Sequence, residues 1–393
     1  MDCSEHAVVR RCEHGAVPTS SPSTPLAGLR VLDISSVLAG PNCARYLADF
    51  GADVVKVERP DGGDSLRSIA WKDPRDGVAL WWKFANRNKR CIALDLKNDE
   101  DRDVFLRLID QADVLVENFR PGTLERLGLG PDVLLARRPK LVITRVTGFG
   151  QTGPYSGRPG FATIAESMSG LSAISGLPDG QPLLPAIALT DEVTALVAAF
   201  ATMVALHSGV GQEVDVSLLE SVFHLMGPLI SLFKTTGEMQ GRMGAGLPYS
   251  VPRGTYQCAD GKWVGLSASS NSVAARVMRL LGLDGDARVQ TFDDRVAHRE
   301  LVEGSMRDFC AARTQAEVLT AFEDAEAAVG PVLDMSEIAA DPHYAARDAV
   351  VQVGDTWMQG LIAKLSATPG QLHWTGRALD ADGDDIRLHG WGP

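Results

Sequence analysis

"LRVLDISSVLAGPNCARYLADFGADVVKVE", residues 29–58, decides the fold. Within it "LRVLDIS" is a short apolar run of the kind that forms a buried strand. "NCARYLADFG" carries apolar residues at helical spacing and stops at Gly51, and "ADVVKVE" is a second strand. Strand, helix, strand in direct succession is a βαβ unit. Downstream the pattern repeats, with "RCIALDL", "DVLVENF" and "KLVITRV" as strands and "DEDRDVFLRLIDQA" and "GTLERLG" as helices. Such alternation predicts an α/β fold with a Rossmann-like, doubly wound parallel sheet.

Working outward from that unit, residues 1–24 read as a disordered leader and 25–225 as the first part of a large domain. Residues 226–254 form a linker holding the glycine-rich "GRMGAGLPYSVPRG". A smaller α+β domain spans 255–345, where "GTYQCADGKWVGLSA" reads as two strands around an Asp-Gly turn. Residues 346–393 return to the large domain, although the stretch from 371 is polar and poorly patterned.

Composition excludes several classes. With 393 residues, 45% of them hydrophobic, the chain can bury a large core. A formal charge of -12 argues against general binding to nucleic acid or an anionic membrane. The longest apolar stretch, 193–206, reads as too short to span a bilayer. The six cysteines are scattered without a disulfide framework, which points to a reducing cytoplasm. Cys3, His6, Cys12 and His14 have metal-like spacing but sit in the polar leader with no scaffold around them, so no metal site is expected. The same leader has no apolar core for a secretory signal.

Ligands of open α/β sheets lie beyond the carboxyl ends of the strands. The loop "SSVLAGP", 35–41, lacks the G-x-G-x-x-G fingerprint, and the chain has no phosphate-binding G-x-x-x-x-G-K-[ST] motif. "VERPDGGD" puts Arg59 just past a strand, and "ENFRPGTLERLG" gathers Asn118, Arg120 and Arg126 near a helix N-terminus. "NRNKR", 86–90, adds three cations, and together these loops predict a phosphorylated ligand. No G-x-S-x-G is present, and the eight histidines stand apart.

One further stretch, "LPAIALTDEVTALVAAF" at 184–200, sets Asp191 and Glu192 at the mouth of an apolar helix. Val193, Leu196, Val197, Phe200, Ala201 and Val204 recur at helical spacing as its buried face, with Thr190 as N-cap. The ordinary account is that both acids complement the helix dipole. The sharper one is that Asp191 is a nucleophile, since a carboxylate can attack a thioester and hold the acyl group as a mixed anhydride.

"GLRVLDISSVLAGP", "GADVVKVERPDGGD", "NKRCIALDLK", "ADVLVENFRPGTLERLGL", "SGLSAISGLPDGQP", "ALTDEVTALVAA", "GQEVDVSLLE" and "VGPVLDMSEIAADP" resemble, in order, the blocks of the family III CoA-transferases. That family includes formyl-CoA transferase, carnitine CoA-transferase and, as a divergent branch, α-methylacyl-CoA racemase. The resemblance implies ring-like chains interlocked as a homodimer, each with a Rossmann-like CoA domain and a small domain. It implies CoA transfer from an acyl-CoA to a carboxylic acid with Asp191 as nucleophile. CoA enters as a substrate, and no metal or tightly bound cofactor takes part. Carried over residue by residue, Val37, Ala39, Arg59, Leu94, Asn118, Phe119, Arg126 and Leu127 contact CoA, and Gly244, Ala245 and Gly246 form a glycine loop that shields the acyl-aspartate from water.

The chain departs from the family pattern at three places. Leu38 stands where formyl-CoA transferase has glutamine and Ala162 where it has glutamate, which turns the expected acceptor away from formate and oxalate. Phe161 stands where the racemase branch has histidine and cannot relay a proton. The alternatives are an acyl-CoA racemase or isomerase using Asp191 as base, and a CoA-binding relative without turnover.

Overall fold

A computed structural model describes residues 24–392; the leader with its Cys3, His6, Cys12 and His14 lies outside the described residues. Six parallel strands form the central sheet: β1 (Arg30–Asp33), β2 (Asp53–Glu58), β3 (Lys89–Ala93), β4 (Val114–Glu117), β5 (Val142–Thr147) and β6 (Gln212–Ser217). Their order is β3-β2-β1-β4-β5-β6, so the chain reverses direction across the sheet between β1 and β4. Leu32 sits in register with Val55 on one side and Leu115 on the other, all three fully buried. Strands so apolar on both faces need helices above and below, which the alternating sequence supplies. The α/β reading and its doubly wound parallel sheet are therefore observed.

Beyond the sheet, β7 (Arg253–Gln257), β8 (Trp263–Ser267) and β9 (Val329–Pro331) pair antiparallel, with β8 in the middle. The Asp-Gly turn expected between two strands connects β7 and β8. Helices Asn271–Leu280, Arg299–Ala311 and Gln315–Asp324 cover this sheet and share a core of Val264, Leu266, Val277, Val302, Met306 and Phe322. A hairpin of β10 (Val350–Val353) and β11 (Thr356–Gln359) follows.

The polar tail is more ordered than its pattern suggests. It ends in the helix Gly383–His389 and buries Ile386 and Trp391 in the large core. Its acids close the free edge of β3: Asp382 accepts from the Cys91 amide and Asp380 from the Ala93 amide, both at 2.8 Å. An open edge is thereby capped without an added strand. A buried Arg87–Asp49 ion pair at 2.6 Å works alongside, and the same guanidinium donates to the Gly360 carbonyl at 3.2 Å.

"NRNKR" does not supply the ligand edge. It lies at the amino end of β3, and its cations are spent within the fold: Arg87 on Asp49, Lys89 on Asp33, and Arg90 on Asp53 at 2.7 Å. The Lys89 pairing belongs to a buried clamp. Asp33, at the end of β1, accepts from Lys89 Nζ at 2.9 Å and faces Lys56 Nζ at 3.6 Å, and all three residues are fully buried. Lys89 also donates to the Pro41 carbonyl at 2.7 Å, and Lys56 to the Ser35 carbonyl. Burial pushes the Asp33 carboxyl up, but the two ammonium groups outweigh it and hold it below the usual range. Burial also draws Lys89 down to about 8, against the pull of Asp33.

The helix Leu189–Ser208 turns the other way round from expectation. Ala195, Ala198 and Thr202 are fully buried, whereas Leu196, Val197, Phe200 and Val204 are exposed, Phe200 at 72%. The inner face lies on the helix Ala39–Asp49 and on β5, and small side chains let the backbones approach closely. Thr190 is not the N-cap; Ala188 takes that position and Thr190 is buried within the first turn. The helix is also longer than the apolar run: its 20 residues match a membrane span in length and composition. Here its alanine face is packed against the sheet.

Removing the Asp33 carboxylate takes the carboxylate partner from the buried Lys89 ammonium and leaves the Lys56 ammonium with Asp64 alone. Asp33→Ala is expected to destabilise the fold by about 3–5 kcal/mol, read from the urea midpoint. A midpoint within about 0.5 kcal/mol of the parent would show that the clamp carries no stability.

Candidate active site

At the carboxyl ends of β1 to β4 the chain leaves a cleft of about 530 Å³. Arg59, Leu94, Phe119 and Leu127 line it, together with Ser35, Ser36 and Lys97. Such a crevice beside the strand-order reversal is where open α/β sheets take ligands. Asn118 ties the two flanking loops: its Oδ1 accepts from the Ser36 amide at 2.8 Å and its Nδ2 donates to the Ser36 carbonyl at 2.7 Å. Val37 follows in a left-handed conformation (φ 67°), its amide donating to Asp64 at 3.2 Å.

The other expected contacts stand one step back from the cleft. Ala39 is the buried first residue of the helix Ala39–Asp49. Arg126 is exposed and donates at 2.8 Å to the hydroxyl of Thr123, a lining residue. Val37 and Asn118 shape the loop rather than the wall.

Charge in the cleft is partly neutralised. Arg67 holds Glu58 at 2.7 Å, and Lys56 faces Asp64 at 3.5 Å. Arg59 spends one nitrogen on the Gly63 carbonyl at 3.2 Å. Among the described residues neither Arg59 nor Lys97 has a carboxylate within ion-pair distance. Two cations on loops at adjacent strand ends suit an anionic ligand. Lys97 escaped the sequence reading because "LDLK" was absorbed into the β3 block; it belongs to the turn after the strand.

The Asp191 region adjoins this cleft. Ala188, just before the helix Leu189–Ser208, packs on the buried cluster that includes Leu38, in the loop that starts at the cleft residues Ser35 and Ser36. Three carboxylates meet there. Glu192 is fully engaged, accepting from Asn42 Nδ2 at 2.7 Å, Tyr46 Oη at 2.8 Å and Arg45 at 3.4 Å. Glu166, on the helix Ala162–Met168, is buried and accepts from the Thr190 hydroxyl at 2.8 Å. Asp191 is half-buried and accepts no hydrogen bond among the described residues. Burial first, then the charges of Glu166 and Glu192, push its carboxyl up to about 6.

The two acids that look alike in sequence therefore differ in kind: Glu192 pins one helix to another, and Asp191 is left without a donor. Glu166 was not singled out from the sequence. It stands four residues after Ala162 on one helix, but nothing in the spacing places that helix beside residue 191. Phe161 is exposed at 67% and precedes this helix as its N-cap.

Gly244, Ala245 and Gly246 lie against other segments. The Gly244 amide donates to the Gly176 carbonyl at 2.8 Å, Arg253 donates to the Ala245 carbonyl at 2.6 Å, and Arg242 donates to the Leu177 carbonyl at 3.2 Å. Among the described residues no hydrogen bond joins this loop to Asp191. No group of His, Cys, Asp or Glu among them has metal-binding geometry.

The model of CoA-transferase family III matches residues 26–382, the whole of the described fold up to the terminal helix. The chain belongs to this family. It is 38% identical to succinyl-CoA–D-citramalate CoA-transferase of Chloroflexus aurantiacus, over 93% of this chain and 94% of that relative. It is 39% identical to the beta subunit of succinyl-CoA–L-malate CoA-transferase from the same organism, over 92% of this chain and 93% of the relative. Among solved structures, a CAIB/BAIF family protein from Brucella suis superposes with a TM-score of 0.83 at 29% identity, covering 93% of this chain and 99% of that one. The chain is thus a family III CoA-transferase, acting on CoA thioesters.

The raised Asp191 carboxyl bears on stability. Folding lifts its proton affinity above the ordinary value of 3.8, so the folded chain holds the proton that the unfolded chain has released. Stability is lost as pH rises through the window from 3.8 to about 6. Asp191→Asn, which carries no charge, is expected to melt higher than the parent near pH 7.5 and to lose that advantage near pH 4. A variant that melts lower than the parent near pH 7.5 would contradict the strained carboxylate.

Proposed function

We propose that the chain moves CoA from a dicarboxylic acyl-CoA to a second dicarboxylic acid through a mixed anhydride on Asp191. The observation that carries this reading is the carboxylate without a hydrogen-bond partner, set beside two like charges and next to the cleft loop. An aspartate without donors and partly shielded from solvent is a better nucleophile than one held by amides. Its oxygen attacks the thioester carbonyl, the C–S bond breaks, and CoA leaves as thiolate. The thiolate attacks the aspartyl carbonyl, releasing the first acid and leaving an aspartyl thioester. The acceptor carboxylate displaces CoA from it to form a second anhydride. CoA then attacks the acceptor's acyl carbon, which frees Asp191 and yields the new thioester. Every bond broken is matched by one formed, and neither a redox partner nor a metal is needed.

In this reading Arg59, Lys97 and Arg126 bind the phosphates and adenine end of CoA, and Leu94, Phe119 and Leu127 its apolar parts. Val37, Ala39 and Asn118 present the loop to the thioester arm. The succinyl-CoA transferases among the relatives support succinyl-CoA as donor and a hydroxylated dicarboxylic acid as acceptor. Leu38 and Ala162 favour an acid larger than formate.

The exposed Leu196, Val197, Phe200, Met203 and Val204 support a homodimer in which a second copy covers this face. We take the interlocked arrangement, the separation of 255–345 as a second domain, and the cytoplasmic location as parts of the same proposal. In the dimer the Gly244–Gly246 loop shields the acyl-aspartate. Nucleic acid and membrane play no part in it.

The test is a panel of acyl-CoA donors and carboxylic acids, with new thioesters read by mass spectrometry. Succinyl-CoA with four- or five-carbon dicarboxylic acids is expected to give product; formate or oxalate as best acceptor would overturn the reading of Leu38 and Ala162. Acyl-CoA with hydroxylamine is expected to convert Asp191, and not Glu192, to a hydroxamate. Asp191→Ala is expected to abolish transfer while keeping CoA affinity, and transfer at the parent rate would sink the mechanism. For the cleft, Arg59→Ala is expected to weaken CoA binding by about 1.5–3 kcal/mol, roughly 10- to 150-fold in Kd. Calorimetry showing parent affinity would move the phosphate site elsewhere.

A further inference from the structure

Glu166 has no part in the chemistry outlined above, yet it is the most buried of the three carboxylates around residue 191, at 4% exposure. Its helix is held in place from its own far end, where the hydroxyls of Ser169 and Ser172 both donate to the Glu166 carbonyl at 3.2 Å. Its side chain crosses to the neighbouring helix and takes the hydroxyl of Thr190, the residue immediately before the nucleophile, which is itself fully buried. Among the described residues no cation pairs with the Glu166 carboxylate; the guanidinium of Arg45 faces Glu192 and Asp49. A carboxylate so buried, holding one neutral donor, is a costly arrangement unless its charge has a use.

We infer that Glu166 is a positioning residue for the transfer step: through Thr190 it fixes the first turn that carries Asp191 and keeps a second, less compensated carboxylate facing that acid. This inference rests on Asp191 being the nucleophile. The charged and titratable groups around Asp191 are Glu166 from the helix Ala162–Met168, Glu192 from its own helix, and, behind Glu192, Arg45 and Tyr46 from the helix Ala39–Asp49. Of these, Glu192 is offset by three donors and Glu166 by one, so Glu166 is the group whose charge reaches Asp191 least compensated.

The experiment follows the first half-reaction, the release of CoA from succinyl-CoA on the full-length protein in rapid quench, across pH. Attack requires the ionised Asp191, so the parent rate rises with pH through a limb set by that carboxyl. Glu166→Gln keeps the size and an oxygen that accepts from Thr190 but removes the charge. It is expected to shift the limb down by about one pH unit and to lower the plateau, because the aspartate becomes less basic. Thr190→Val removes the hydroxyl that fixes the Glu166 carboxylate beside the first turn and is expected to shift the limb in the same direction; Thr190→Ser is expected to restore it. A merely structural role would lower the plateau in these variants and leave the limb in place. An unmoved limb in Glu166→Gln overturns the proposal, and if that variant does not fold, an unmoved limb in Thr190→Val does so. Asp191→Asn run alongside separates the two failures: if it releases CoA at the parent rate, the nucleophile and this proposal fall together, and if it is inactive while the limbs stay put, only this proposal falls.

Discussion

The Asp33 carboxylate is the constraint on which the rest of the structure depends. It ends β1, draws in Lys56 from β2 and Lys89 from β3, and through them reaches the Ser35 and Pro41 carbonyls. One buried acid thus ties three strands, the loop that lines the cleft and the start of the helix Ala39–Asp49. That helix in turn presents Asn42, Arg45 and Tyr46 to Glu192. The path from the sheet to the first turn around Asp191 is a chain of polar contacts in which each member is satisfied, as a buried polar network must be to hold its shape.

Against that rigid background, the three acids near residue 191 divide by environment. Glu192 is paired with donors, Glu166 is buried with one, and Asp191 has none, so the same chemical group serves as a structural pin, a buried acceptor and an unpaired carboxylate. Among the described residues the fold grants hydrogen bonds to two of these acids and withholds them from the third, whose carboxyl burial then pushes up.

The same economy explains the two faces of the helix Leu189–Ser208. Close approach to the helix Ala39–Asp49 demands alanine and threonine inside, and the larger apolar side chains are then left for the outside of the single chain. A hydrophobic stripe read from spacing identifies a helix reliably, because spacing is local. Which stripe turns inward depends on how near the neighbouring backbone lies, and that is not written in the helix itself.

Read along the chain, local periodicity was enough for the strands from β1 to β8 that it named, the helices between them and therefore the parallel sheet, since each is set by contacts a few residues apart. The cleft followed from topology, and the family blocks carried Asp191. The tail of the chain did not yield to this reading: its acids cap the edge of β3 and Trp391 donates to the Leu108 carbonyl at 2.9 Å, partners hundreds of residues away. The cations of "NRNKR" looked like ligand groups and proved to be partners of Asp49, Asp33 and Asp53 within the fold, because a charge in a sequence carries no mark of what will fold against it. By itself the sequence determined the order of strands and helices and the identity of the acid that opens the Asp191 helix. Only the tertiary structure decided that Glu166 stands beside that acid, that Glu192 is consumed by the helix Ala39–Asp49, and that Asp191 alone of the three goes without a donor; proton affinity is set by neighbours in space, and those neighbours come from three separate segments.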